Sequence, residues 1–149
     1  MRRLVAGLLM SLDGVVGSPN IWGWPRYMDD EMSQAIAAGV AEADTVLLGR
    51  RTYLEFARIW PGQGSDVPMA DFLNHSPKYV VSTTLRTPLA WENSHLLTGH
   101  LAQQVKNLKL QAGKNILVPG SPRLVASLLA EGLLDQMSLN ICPIVVGSG

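Results

Sequence analysis

Thr45-Val46-Leu47-Leu48-Gly49-Arg50-Arg51-Thr52-Tyr53 runs from continuous apolar sequence through a glycine into a polar, arginine-bearing segment. Ile116-Leu117-Val118-Pro119-Gly120-Ser121-Pro122-Arg123-Leu124 repeats the pattern later in the chain. Each stretch reads as a buried strand that turns through glycine into the first turn of a helix. At such a junction free backbone N–H groups and the positive end of the helix dipole point the same way, and glycine admits an anion close to the main chain. Arginine follows both glycines, and its planar guanidinium grips phosphate oxygens. Two such junctions in one small domain suggest a shared phosphate site. A plainer reading stands beside it, because any α/β domain places glycine at its strand-to-helix turns.

Outward from these junctions the same alternation fills the chain. Apolar runs near Leu4–Met10, Thr45–Leu48, Tyr79–Ser82, His95–Leu97, Asn115–Val118 and Gln136–Ile141 suit strands covered on both faces. Between them lie helical patterns: Asp29 to Ala43, with Met32, Ile36, Ala37 and Val40 on one face, then Thr52 to Ile59, Met69 to Leu73, Leu101 to Ala112 and Pro122 to Ala130. Alternating strands and helices specify an α/β fold with a mostly parallel sheet. Ile144-Val145-Val146 before Gly147-Ser148-Gly149 reads as another strand entering a turn, and an unfinished sheet edge there invites pairing with a second chain.

The chain's 149 residues, 47% of them hydrophobic, suit one domain over residues 1–149 with a real core. Twelve basic and 12 acidic residues cancel, so no net positive field attracts nucleic acid or an anionic membrane. Leu4–Met10 is too short to span a bilayer. Cys142 is the only cysteine, which removes internal disulfides and thiolate metal clusters and fits a reducing, cytoplasmic setting. His75, His95 and His100 show no metal-ligand spacing, so no metal is expected.

Four further segments carry chemistry-bearing residues. Ser11-Leu12-Asp13-Gly14-Val15-Val16-Gly17 leaves the first strand as a glycine-rich loop, either folding over a ligand at the carboxyl ends of the strands or forming a tight turn. Trp22 and Trp24 flank Gly23 outside any periodic pattern, where they line a planar ligand or cap the core. Asp29-Asp30-Glu31 opens a helix, which the dipole favours; a poorly solvated carboxylate near tryptophan would instead have a raised pKa and could deliver a proton. Ser82-Thr83-Thr84, followed by Arg86, suits a ribose phosphate or an ordinary turn.

Together the strings MSLDGVVG, ADTVLLGRRTYLEF, PKYVVSTTL and GKNILVPGSPRLVASLLAEGLLDQMSLNICPIVVGSG resemble the dihydrofolate reductase superfamily, in particular the reductase domain of the riboflavin-biosynthesis deaminase-reductases. The resemblance spans nearly the whole chain. It implies a three-layer sandwich, helices on both faces of the sheet, with NADPH across the strand ends. Gly49, Arg50, Arg51 and Thr52 match the family's first phosphate turn, and Gly120, Ser121, Arg123 and Leu124 the turn that cradles the pyrophosphate. Ser82 and Thr83 match the segment near the adenosine ribose and its 2′-phosphate, and Val16 and Gly17 the loop beside the nicotinamide. Trp24 falls where those enzymes carry an active-site tryptophan, and Asp29 where they carry the substrate-binding acid, the expected catalytic group.

This chain departs from the pattern at three places. Pro122 removes one N–H donor from the second turn, no folate-binding arginine is identifiable, and the family's last two strands are expected to be missing. The reading is a hydride-transferring reductase for a small pterin-like, pyrimidine-like or carbonyl substrate, working as a homodimer. The alternative is a nucleotide- or drug-binding dimer of the same fold without turnover.

Overall fold

The computed structural model describes residues 1–67 and 69–149, with the side chain of Trp24 excepted. In chain order come strand β1 (Leu4–Ser11), a 3-10 turn (Trp24–Tyr27), helix α1 (Asp30–Ala41), β2 (Ala43–Gly49) and α2 (Arg50–Ile59). A second 3-10 turn (Trp60–Gly62), α3 (Ala70–His75), β3 (Lys78–Val81) and β4 (Ser94–Leu97) follow, then α4 (Leu101–Leu110), β5 (Asn115–Gly120), α5 (Pro122–Ala130) and β6 (Gln136–Cys142).

The strands form a single sheet in the order β4-β3-β2-β5-β1-β6, and every pair is parallel. Parallel pairing is why the interior strands read as unbroken apolar runs: helices cover both faces, so alternation has no solvent side to mark. On one face Leu4, Ala6, Leu8, Leu47, Ile116 and Val118 pack under α4 and α5 through Val105, Leu108, Leu124, Val125 and Leu128. Each of these α5 side chains contributes roughly 1.5–3 kcal/mol by leaving water. On the other face Val46, Leu48 and Val80 meet Tyr53 of α2, Leu73 of α3 and Trp91. The sheet thus sits between two helical layers, as expected.

Two local expectations fail. Helix α1 buries none of its residues, and Ala37 is exposed while Met32, Ile36 and Val40 are half-buried. Ile144–Val146 is not a strand. Its backbone is engaged elsewhere: Ile144 accepts from Leu12 N at 2.8 Å and Val146 donates to the Asp13 carboxylate at 3.1 Å, so this segment docks on the loop after β1 instead of extending the sheet.

Candidate functional site

Because every strand runs the same way, the carboxyl ends of β1, β2, β3 and β5 share one edge of the sheet. There β2 and β5 are neighbours, with Leu48 opposite Gly120. The register slips by one residue between the Val46–Leu117 and Leu48–Gly120 pairs. Pro119 lies in that bulge, where its missing N–H costs no ladder bond. The slip brings the two turns into contact. A Cβ on Gly49 would overlap Ser121 Oγ and lie 3.1 Å from Ser121 N. One on Gly120, whose φ of 154° already favours glycine, would lie 2.7 Å from Thr52 Oγ1. Glycine is thus required at position 49 by Ser121, which precedes α5, and at position 120 by Thr52 in the first turn of α2.

Helices α2 and α5 therefore begin side by side. Neither Gly49 nor Ser121, the residues preceding them, caps its helix with a side chain. Pro122 at the first position of α5 has no N–H, so that helix offers donors from Arg123 onward, while α2 offers them from Arg50. Between the two starts lies an open cleft of about 220 Å³ whose lining mixes polar Arg50, Ser121, Arg123 and Ser127 with apolar Val81, Leu101 and Leu124, beside Gly49. Arg50, Arg51 and Arg123 are exposed, and among the described residues no carboxylate pairs with them. Main-chain donors, helix dipoles and unpaired guanidinium groups converge here on an anion-binding chemistry. Apolar surface beside it suits the flat base of a nucleotide.

The loop after β1 leaves the sheet at this edge. Val16 is half-buried against the core cluster that includes Val118 and Leu124. Gly17 accepts from Trp22 Nε1 at 3.1 Å, so that indole N–H closes its own loop. Asn20 reaches Glu55 of α2 at 2.6 Å. The active-site reading of Trp24 concerns a side chain outside the described residues.

Asp29 takes a role that weakens its expected one. It is exposed and caps α1, its carboxylate accepting from Met32 N at 2.8 Å. The poor solvation that a general acid needs is therefore missing at this carboxylate, and the helix-capping reading of Asp29 accounts for its position. Ser82 is buried at the end of β3, and its hydroxyl accepts from Thr84 N at 3.1 Å and Leu85 N at 3.0 Å, so it holds the turn. Thr83 beside it is exposed.

Sequence reasoning missed the role of Asp13. Its carboxylate accepts from Ser11 Oγ, from Val146 N and from Gly147 N, and these three bonds hold its pKa at about 2. Asp13-Gly14 and Val146-Gly147 each look like a turn, and nothing in either says that one binds the other. A larger depression, about 540 Å³, lies at the opposite edge beside Arg2 and Lys109. Its cations are committed to structure: Arg2 pairs with Asp44, and Lys109 with Asp135 at 2.6 Å. No helix is long and apolar enough to cross a membrane, and no metal-holding group of His, Cys, Asp or Glu side chains occurs among the described residues.

Comparison with known proteins points to the same architecture. The family model for the RibD C-terminal domain matches residues 2–149. Two uncharacterized proteins of Bacillus subtilis (strain 168) are similar over 99% of this chain: YyaP is 26% identical across 78% of its own length, and YwjB 25% across 80%. A putative riboflavin biosynthesis protein from Shewanella sp. PV-4 superposes with a TM-score of 0.71 at 23% identity, over 99% of this chain and 80% of that one. Acinetobacter baumannii RibD superposes with a TM-score of 0.64 at 19% identity, and there this chain spans 48% of the longer protein. At these identities the superpositions speak for the fold.

Proposed function

Since the chain belongs to the RibD C-terminal domain family, whose fold is reductase-like, we propose that it is an NADPH-dependent reductase for a small pterin-like, pyrimidine-like or carbonyl substrate. The observation that carries this reading is the contact of Gly49 with Ser121, which sets two uncapped helix starts and Arg50 and Arg123 around one cleft. A pyrophosphate fits that donor set. When bound, the nicotinamide supplies the hydride. The chain's residues bind and orient: amides at Arg50–Thr52 and at Arg123–Leu124 hold phosphate oxygens, and Arg50 and Arg123 add charge-assisted bonds. Arg51 and Thr83 would favour a ribose 2′-phosphate, and the apolar Val81, Leu101 and Leu124 would receive the base. Phosphate binding far from the reacting carbon supports ring orientation, which is where rate is gained. The loop carrying Val16, Gly17 and Trp22 covers the remaining end and excludes water. The proton reaches the substrate through water, with Asp29 as the carboxylate expected to relay it.

A second reading has its own support. Asp29 is an exposed helix cap, which suits a nucleotide-binding protein without turnover. Quenching of protein fluorescence on adding NADPH, followed by consumption of NADPH across a panel of pterins, pyrimidines and quinones, separates them. Binding with turnover supports the reductase; binding alone across the panel supports the binder; no binding removes both.

Assembly as a homodimer belongs to the same proposal. Strand β6 carries half-exposed Met137, Leu139 and Ile141 along one face, and a second copy would cover them. Light scattering that gives a monomer at micromolar concentration contradicts it.

A further inference from the structure

A single carboxylate ties the loop that leaves β1 to the segment that leaves β6. Asp13 Oδ1 accepts from Ser11 Oγ at 2.7 Å and from Val146 N at 3.1 Å, while Oδ2 accepts from Gly147 N at 2.8 Å. Around this hub Ser11 Oγ accepts from Val15 N at 2.8 Å, and Leu12 N donates to Ile144 O at 2.8 Å. Asp13 is exposed. Packing therefore does not account for it; its charge serves two main-chain amides from the far end of the sequence. Such charge-assisted bonds are about twice as strong as neutral ones.

The same loop also rests on the body of the domain. Val16 packs on the cluster containing Val118 and Leu124, and Asn20 bonds Glu55 on α2. The footing at Asp13 and the contact at Val16 are only three residues apart in sequence.

We propose that Asp13 is a positioning residue through which the segment 144–149 sets the place of the loop 12–22 over a bound dinucleotide, on the side away from the phosphates. The segment after β6 is then a handle on the site: whatever shifts it shifts the cover. Only the dinucleotide part of this inference rests on the function proposed above.

Two measurements on Asp13→Asn test it. The first needs no ligand. Amide hydrogen exchange should quicken by about tenfold or more at Val146 and Gly147, and also at Val15 to Trp22, since protection there reports local opening. Faster exchange confined to 146–147, with the loop amides unchanged, would mean that Asp13 merely anchors a tail, and would overturn the coupling. The second compares NADPH with adenosine 2′,5′-bisphosphate, which lacks the nicotinamide half. The variant should bind NADPH about tenfold more weakly, a loss of about 1.4 kcal/mol, while affinity for the bisphosphate stays within about twofold. Equal losses for both ligands, or no loss for either, would overturn the positioning role. Should Asp13→Asn fail to fold, Ser11→Ala removes the hydroxyl that supports the Asp13 carboxylate and leaves both amide bonds. Leaving aside Val15, whose own acceptor is lost, smaller effects are expected at Val146, Gly147 and Gly17 to Trp22, and unchanged exchange at Gly17 to Trp22 counts against the proposal. Failure of the unaltered protein to bind either ligand would strike the dinucleotide reading, with the exchange experiment still deciding the coupling.

Discussion

Gly49 and Ser121 approach so closely that a Cβ on the glycine would overlap the serine hydroxyl. The neighbouring atoms include Ser121 N and Cβ at 3.1 and 3.2 Å, which belong to the turn itself and cannot swing away. Gly49→Ala should destabilise by about 1–3 kcal/mol, the usual cost of overpacking, and lower the melting temperature by several degrees. Adding Ser121→Gly removes the overlapping hydroxyl. In that background the alanine should cost measurably less, and a thermal-melt double-mutant cycle reads the difference; strict additivity would mean the two turns do not press on each other.

Arg50 and Arg123 are exposed and lack carboxylate partners among the described residues, so removing them should leave the fold intact. Each Arg→Ala change should weaken NADPH binding by about tenfold to a hundredfold, as expected for about 1.5–3 kcal/mol per charge-assisted bond. Titration calorimetry beside a melting curve checks both halves. Unchanged affinity in both variants would remove the guanidinium groups from the site.

Lys78 is fully buried, its ammonium donating to Leu73 O at 2.7 Å and Ser76 O at 2.9 Å and lying 4.5 Å from the centre of the Trp91 ring. Desolvation pulls its pKa down to about 8, against a smaller upward pull from Glu92. Between about pH 8 and 10.5 the unfolded chain holds a proton that the folded one has shed, so this group makes stability rise with pH, by at most about 1.4 kcal/mol per unit. Chemical denaturation across that window should give a steeper upward slope for the natural chain than for Lys78→Met. Lys78→Met should also be less stable near neutrality, because it leaves the last carbonyls of α3 without a donor.

Asp13 acts in the same sense at the acid end of the pH range. Its carboxyl is held at about 2, first by the Ser11 hydroxyl and then by the amides of Val146 and Gly147. The stability it confers is fully present above about pH 4 and is lost as pH falls toward 2. Asp13→Asn should therefore show a shallower loss of stability between pH 4 and 2. Identical acid limbs would mean that the carboxylate is not bonded as described.

The layered α/β architecture was legible because parallel strands buried on both faces leave uninterrupted apolar runs, and Gly49 and Gly120 mark where two of them turn. That the two turns lie together was expected from the paired motifs and the resemblance, but how closely they touch was not: adjacency of β2 and β5 follows from strand order, which no local pattern encodes. Ser82 and Asp29 illustrate a second limit. A hydroxyl or carboxylate at an element's end serves the backbone as readily as a ligand, and only coordinates tell which amides it meets. The Asp13 bonds to Val146 and Gly147 join opposite ends of the chain, so neither turn's sequence announces its partner. Lys78 was invisible for a related reason, since a lysine at a strand start reads as solvated until Trp91 folds over it.

A dinucleotide clasped between neighbouring strand ends is the claim on which the functional reading depends, and an NMR titration of the labelled protein with NADPH tests it most directly. Saturable shifts are expected at the amides of Gly49 to Thr52 and of Gly120, Ser121, Arg123 and Leu124 together, at one common dissociation constant. Shifts confined to one of the two turns, shifts centred instead on Arg2 and Lys109 at the opposite edge, or none at all would contradict it.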